Sequence, residues 1–79
     1  MGLEEWRNVD LQTLLYQTTE AAGPLNVWYG LFLLGSFPWH THAHVDERGN
    51  AHLLDLRTGR WFREFAAGTW TVINHSRRT

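Results

Sequence analysis

The spacing of apolar residues changes at Gly23–Pro24, and this change constrains the fold more than any other feature of the chain. Upstream, apolar or small residues recur at helical spacing, at Leu11, Leu14, Leu15, Thr18 and Ala22. Asn8 or Asp10 can cap this helix, and Gly23 followed by Pro24 supplies a left-handed stop and a helix breaker. Downstream, the pattern is that of strands. The sequence therefore predicts one helix within Asp10–Ala22 and a β-sheet after it.

The first strand is predicted over Asn26–Gly35, where apolar residues occupy both alternating faces. Gly30 inside it indicates a bulge or close packing against the helix. A single helix cannot cover both faces of such a strand. Loop aromatics such as Trp39 and Trp70 would cover the second face, or a partner molecule would; the excess of Trp favours a partner.

Two loops with Gly at the third position, Glu47–Gly49 and Arg57–Gly59, predict successive hairpins. The strands would span Thr41–Asp46, Asn50–Leu56, Arg60–Phe65 and Thr69–Asn74. Three-residue loops place four pairs of residues opposite each other: Asp46 and Asn50, His44 and His52, Leu56 and Arg60, His52 and Glu64.

Alternation along these strands separates two faces of the sheet. The more apolar face, predicted to lie against the helix, carries Ala43, Val45, Ala51, Leu53, Trp61 and Phe65. The other carries His42, His44, His52, Leu54, Phe62 and Glu64. The predicted fold class is α+β, an N-terminal helix packed on a four- to five-stranded antiparallel β-meander. With 79 residues, the whole chain (1–79) is expected to form one domain.

Histidines alternate along His40–His44, so their imidazoles share one face of a strand. The register adds residues from two neighbouring strands, and the predicted metal ligands are His42, His44, His52 and Glu64. Zinc or a similar divalent ion suits such a set. In the alternative interpretation the imidazoles line a solvated face and pair with Asp46 or Glu64. His52 beside Glu64 would also form an acid–base pair, but no nucleophile motif or phosphate loop accompanies it.

The chain contains five Trp, seven Arg and no Lys or Cys, and its net charge is −1. Trp and Arg are favoured anchors of protein interfaces. The predicted binding surface comprises Trp28, Trp39, Trp61, Phe62, Trp70, Arg60 and Arg63. The charge does not favour nucleic acid, and no apolar run is long enough to span a membrane.

These features favour a small, non-catalytic protein-binding module. Its predicted partner is a larger protein or protein complex whose surface it occludes, as phage or mobile-element inhibitors, immunity proteins and accessory proteins do. A metal-binding module, or a small metal-dependent enzyme using the histidine row, is the first alternative. A self-associating structural protein, a homodimer paired through Val27–Leu34, is the second. The lack of Cys and an acidic N-terminus without signal-peptide features predict a cytoplasmic protein.

Overall fold

The computed structural model describes residues 10–76, which form one α-helix and six strands in two antiparallel sheets. Helix α1 spans Leu11–Gln17 and is followed by a 3₁₀ turn over Glu20–Ala22. The strands are β1 (Leu25–Tyr29), β2 (Phe32–Phe37), β3 (Thr41–Val45), β4 (Ala51–Asp55), β5 (Arg60–Phe65) and β6 (Val72–His75).

Helix α1 lies within the predicted range and begins where Asp10 caps it. The Asp10 carboxylate accepts hydrogen bonds from the backbone N–H groups of Gln12 and Thr13. The alternative cap, Asn8, lies outside the described residues. The helix is shorter than its apolar pattern because Thr18 already has an extended backbone. No helix within residues 10–76 has the length and apolar composition needed to cross a membrane.

The strand order is β2-β1-β6 in the first sheet and β3-β4-β5 in the second. The α+β class is therefore right, but the prediction of one meander with four or five strands is wrong in strand number and in connectivity. The last strand, β6, pairs with β1 rather than with β5, and residues 26–35 form two strands instead of one.

A two-residue turn at Gly30–Leu31 divides the predicted first strand. Tyr29 pairs with Phe32 across the turn, and Gly30 has a φ of +59°. Gly with positive φ at the first central position is the pattern of a type II′ hairpin turn. The glycine interpreted as a bulge is therefore the residue that reverses the chain, while an actual bulge lies opposite Val27 and Trp28.

The predicted register of the second sheet is confirmed between β3 and β4, where His44 pairs with His52. Between β4 and β5 the loop has four residues instead of three, because Asp55 pairs with Arg60. The predicted pairing of Leu56 with Arg60 is therefore wrong. A bulge opposite Leu53 takes up the extra residue, so that His52 still pairs with Glu64 as predicted.

This bulge exchanges the predicted faces of two aromatic residues. Trp61 pairs with Leu54, and its ring contacts those of His44 and His52. Phe62 instead contacts Phe37 of the first sheet, with ring centroids 5.7 Å apart. The expected placement of Trp61 on the apolar face and Phe62 on the histidine face is therefore wrong.

The core lies between the inner faces of the two sheets. Its buried residues are Leu25, Val27, Ala51, Leu53 and Phe65, with Phe37, Ala43, Trp70 and Ile73 packed against them. The prediction that the helix covers this face is wrong, because the unexpected β1–β2 hairpin and β6 together supply a second sheet. Helix α1 buries none of its residues, and its Leu11 side chain lies against the β4–β5 turn at Gly59.

We expect Gly30→Ala to lower the free energy of unfolding by about 1–2 kcal/mol, because a Cβ is strained at this positive φ. Open space surrounds the position, so the loss would come from the backbone and not from a clash. Gly30→Asn should lose less, since Asn tolerates this region. Urea unfolding measures both variants; equal stability of Gly30→Ala and the unmodified chain would contradict the turn assignment.

Candidate functional site

The tip of the β1–β2 hairpin carries large apolar side chains in solvent. We call Tyr29, Leu31, Phe32, Leu33 and Leu34 the apolar hairpin. Leu31 is 95% exposed and Phe32 75%, and the other three are 40–51% exposed. Isolated exposed apolar residues are ordinary, but five within six positions form an apolar patch around the end of one hairpin, which is typical of an interaction site.

The patch continues across the outer face of the first sheet. Trp28 pairs with Leu33 on one side and with Val72 on the other, so the three side chains form one row across β2, β1 and β6. Leu33 and Val72 are each about half exposed, and Trp28 is partly buried between them. The hairpin therefore presents a tip and an adjoining flat face, both apolar.

The segment of sequence that contains this patch has no charged residues. No Asp, Glu, Lys or Arg occurs between Glu20 and Asp46, a stretch that includes both strands of the hairpin. Exposed edges and faces of sheets usually carry charges that prevent association. The composition of this segment is thus that of a surface suited to contact rather than to solvation.

Hydrogen bonds hold the hairpin in place. Thr71 bridges its turn to the start of β6: its backbone N–H donates to the Trp28 carbonyl at 2.7 Å, and its Oγ1 accepts from the Gly30 N–H at 2.9 Å. At the base, the buried Asn26 side chain bonds to Ser36 and Ser76. The tip is therefore positioned before any contact is made, which reduces the entropy lost on binding.

The loop aromatics expected to cover this surface lie elsewhere. Trp70 packs at the margin of the core and donates from Nε1 to the Gly49 carbonyl at 3.0 Å. Trp39 precedes β3, where its ring contacts that of His40 and lies beneath the Arg57 guanidinium. Neither of these two loop aromatics covers the hairpin, and its side chains are 40–95% exposed, as the partner-burial alternative requires.

The seven residues of the predicted binding surface do not form one patch. Trp28 lies on the outer face of the first sheet, Trp61 in the histidine row, and Trp70 beside the core. Phe62, Arg60 and Arg63 lie on the edge strand β5, with Arg63 over the Phe65 ring.

The choice of Trp and Arg as anchors missed the apolar hairpin. The signal that would have located it is Tyr29-Gly30-Leu31-Phe32, in which a Gly that permits positive φ stands between apolar residues. Read as a two-residue hairpin turn, this sequence places Leu31 at a loop tip, where little can bury it.

Of the predicted histidine row, the structure brings His44 and His52 together, and the carboxylate that contacts His52 is Asp46. His44 and His52 have ring centroids 6.5 Å apart, and both rings contact Trp61. His52 Nε2 lies 2.9 Å from Asp46 Oδ2, so the pairing with Asp46 in the alternative interpretation is confirmed. Glu64 is the register partner of His52 on β5.

Asp46 organises the β3–β4 turn. Its Oδ1 accepts from the backbone N–H groups of Arg48 and Asn50 at 2.9 Å each, and its Oδ2 accepts from Asn50 Nδ2 at 3.0 Å. The hydrogen bond to His52, followed by those from Asn50 and Arg48, holds the pKa of the Asp46 carboxyl well below its usual range. This carboxylate therefore remains charged near neutral pH and fixes the loop.

The β4–β5 turn repeats this arrangement. The Asp55 carboxylate accepts from the Arg57 N–H at 2.9 Å and lies 3.1 Å from His40 Nδ1. Burial alone would raise the pKa of Asp55, but the hydrogen bonds and the nearby His40 outweigh it and lower the pKa. Both Asp–His pairs thus stabilise turns of the second sheet.

Partial burial lowers the pKa of His42 and of His44. A neighbouring histidine adds to each effect, His44 for His42 and His52 for His44, because two positive charges repel. Within residues 10–76, no group of three His, Asp or Glu side chains is placed to hold a metal ion. The zinc assignment to His42, His44, His52 and Glu64 stays a prediction, and Asp46 already occupies one nitrogen of His52.

Comparison of the chain with protein-family models, curated proteins and solved structures found no match.

We expect the domain to lose stability as the pH falls below about 6.5. The pKa values of His42 and His44 are below 6.5 in the folded chain, so the unfolded chain takes up protons first and acid favours unfolding. Asp46 titrates far below this window. Urea unfolding at pH 7.5 and 5.5 measures the effect. A His42→Asn, His44→Asn double variant should lose less stability between these pH values, and an equal loss would contradict the assignment.

The zinc prediction is tested by thermal unfolding in zinc and in chelator. If the histidine row binds zinc, the metal raises the midpoint, and His44→Ala or His52→Ala abolishes the increase. His75→Ala, on β6, should retain it, because His75 Nδ1 lies at the Gly23 carbonyl and His75 is not among the predicted ligands. Equal midpoints of the unmodified chain in zinc and in chelator would dispose of the metal site.

Proposed function

We propose that the chain is a protein-binding module that docks through the apolar hairpin. The observation that carries the proposal is the exposure of Leu31 and Phe32 at the tip of a hairpin that hydrogen bonds hold in place. Burying one such side chain against a partner contributes about 1.5–3 kcal/mol. The tip supplies anchors, and the row of Trp28, Leu33 and Val72 supplies an adjoining flat contact.

The partner proposed is a larger protein or protein complex, and the mode of action is occlusion of its surface. Contact is favoured over chemistry because the carboxylates nearest to histidines, Asp46 and Asp55, are engaged in shaping turns. Inhibitors, immunity proteins and accessory subunits act in this way. We propose that the chain acts in the cytoplasm, because small secreted domains usually contain disulfides and this chain has no Cys.

The test is capture of partners from an extract of the native host with immobilised chain. A Leu31→Lys, Phe32→Lys double variant should lose the captured protein, because two buried anchors would become charged. Tyr16→Lys is the matched control, since Tyr16 is 86% exposed on α1, away from the hairpin. With the captured protein purified, calorimetry should show at least tenfold weaker binding for the double variant and an unchanged affinity for the control.

Two outcomes would contradict the proposal. The first is equal capture by the double variant and by the unmodified chain, which would move the docking site elsewhere. The second is binding to neutral phosphatidylcholine vesicles that depends on the hairpin, without capture of any protein, which would identify a lipid surface as the ligand.

A further inference from the structure

We infer that two copies of the chain pair along the free edge of β2, so that their first sheets form one continuous six-stranded sheet. The inference rests on the proposed function, because the pairing would place the outer faces of both first sheets on one side of a single sheet. Its partner is specified: a second copy, related by a two-fold axis perpendicular to the sheet.

Within residues 10–76, only β1 pairs with β2, so the other edge of β2 has no strand beside it. The Trp28 carbonyl bonds to Thr71 at the start of β6, so the backbone groups of Trp28 point away from β2. Residues opposite each other in an antiparallel pair orient these groups alike, toward each other or apart. Leu33, opposite Trp28, and Ser36, opposite Asn26, therefore point their N–H and C=O groups away from β1.

The spacing of these outward-pointing N–H and C=O groups determines which strand can pair with β2. In a regular strand they recur every second residue, but the bulge in β2 separates Leu33 from Ser36 by three residues. A regular strand cannot match both positions. A second copy of β2 runs antiparallel with the same interval, so Leu33 faces Ser36 of the other copy in both directions. A two-fold axis requires this kind of self-complementarity.

The composition of β2 permits such pairing. Phe32–Phe37 contains no charged residue and no Pro, the features that normally protect an edge strand. Leu34, beside the proposed axis, would face Gly35 of the other copy, so that no charged side chain lies at the centre of the contact.

The apolar area that one copy exposes is smaller than a standard protein interface, which favours a surface made by two copies. Taking roughly 150–200 Å² for a fully exposed large side chain, the apolar hairpin and Val72 present about 600 Å². A standard protein interface buries about 800 Å² on each partner. An antiparallel sheet formed about a perpendicular axis keeps both outer faces on the same side. Two copies would thus double the apolar area that each face of the first sheet offers to a larger partner.

Sedimentation velocity at about 50 µM tests the pairing with two variants of one residue. The unmodified chain should sediment as a dimer of twice 9.2 kDa. Ser36→Pro removes the outward N–H without altering the apolar patch, and should raise the dimer dissociation constant at least tenfold. Ser36→Ala is the matched control: it also loses the hydroxyl that donates to Asn26, but it keeps the N–H and should remain dimeric.

A second measurement does not depend on Ser36→Pro folding. Because the chain has no Cys, a single Leu34→Cys substitution places one thiol near the proposed axis, within the distance that a disulfide can span. Mild oxidation should convert this variant to a covalent dimer, whereas Tyr16→Cys, exposed on α1, should remain mostly monomeric.

A monomeric unmodified chain at 50 µM, or equal cross-linking of Leu34→Cys and Tyr16→Cys, would overturn the pairing. Capture of a larger protein by such a monomer would leave the proposed function standing, so the two failures are distinguishable. A dimer that Ser36→Pro leaves intact would also overturn it, because the contact would then lie elsewhere.

Discussion

The contact between the inner faces of the two sheets is the interaction on which the rest of the structure depends. Val27 of one sheet and Leu53 of the other are fully buried in it, and Phe65 and Leu25 complete it. A chain this short supports only one interior. Because the two sheets fill this interior, helix α1 lies outside it, and half-exposed side chains such as Leu33 lie on the outer face of the first sheet. The exposed apolar surface therefore follows from the way this core is built.

Local turn chemistry could be predicted from the sequence where the turn residues were unambiguous. Gly49, placed at the third position of its loop, indicated the correct register between β3 and β4. At Gly59 the loop is longer by one residue, and the register of His52 survived because a bulge compensated for it. No pattern in the sequence predicts this bulge, whose extra residue, Phe62, contacts Phe37 of the other sheet.

The first sheet could not be predicted because its strands are remote in sequence and its turn lacks a strong signal. Gly30 is followed by Leu31 rather than by Asn, Asp or another Gly, so an apolar run concealed a hairpin. The same run did indicate that one interior could not bury all its side chains. The pairing of His44 with His52 was predicted correctly from the β3–β4 turn, whereas the carboxylate partner of His52, Asp46, depends on the shape of a turn that spacing alone does not describe.

The two sheets differ in the sequence separation between the strands that pair in them, and this separation affects the order in which the sheets fold. Strands β3, β4 and β5 follow one another through short loops, so their sheet requires only local contacts. The first sheet is complete only when β6 reaches β1, and the bond between Asn26 and Ser76 joins residues 50 positions apart. Loop-closure entropy makes such pairing slow. During synthesis on the ribosome, the hairpin emerges before the strand that flanks it, and the nascent chain carries an unfinished first sheet until β6 has emerged.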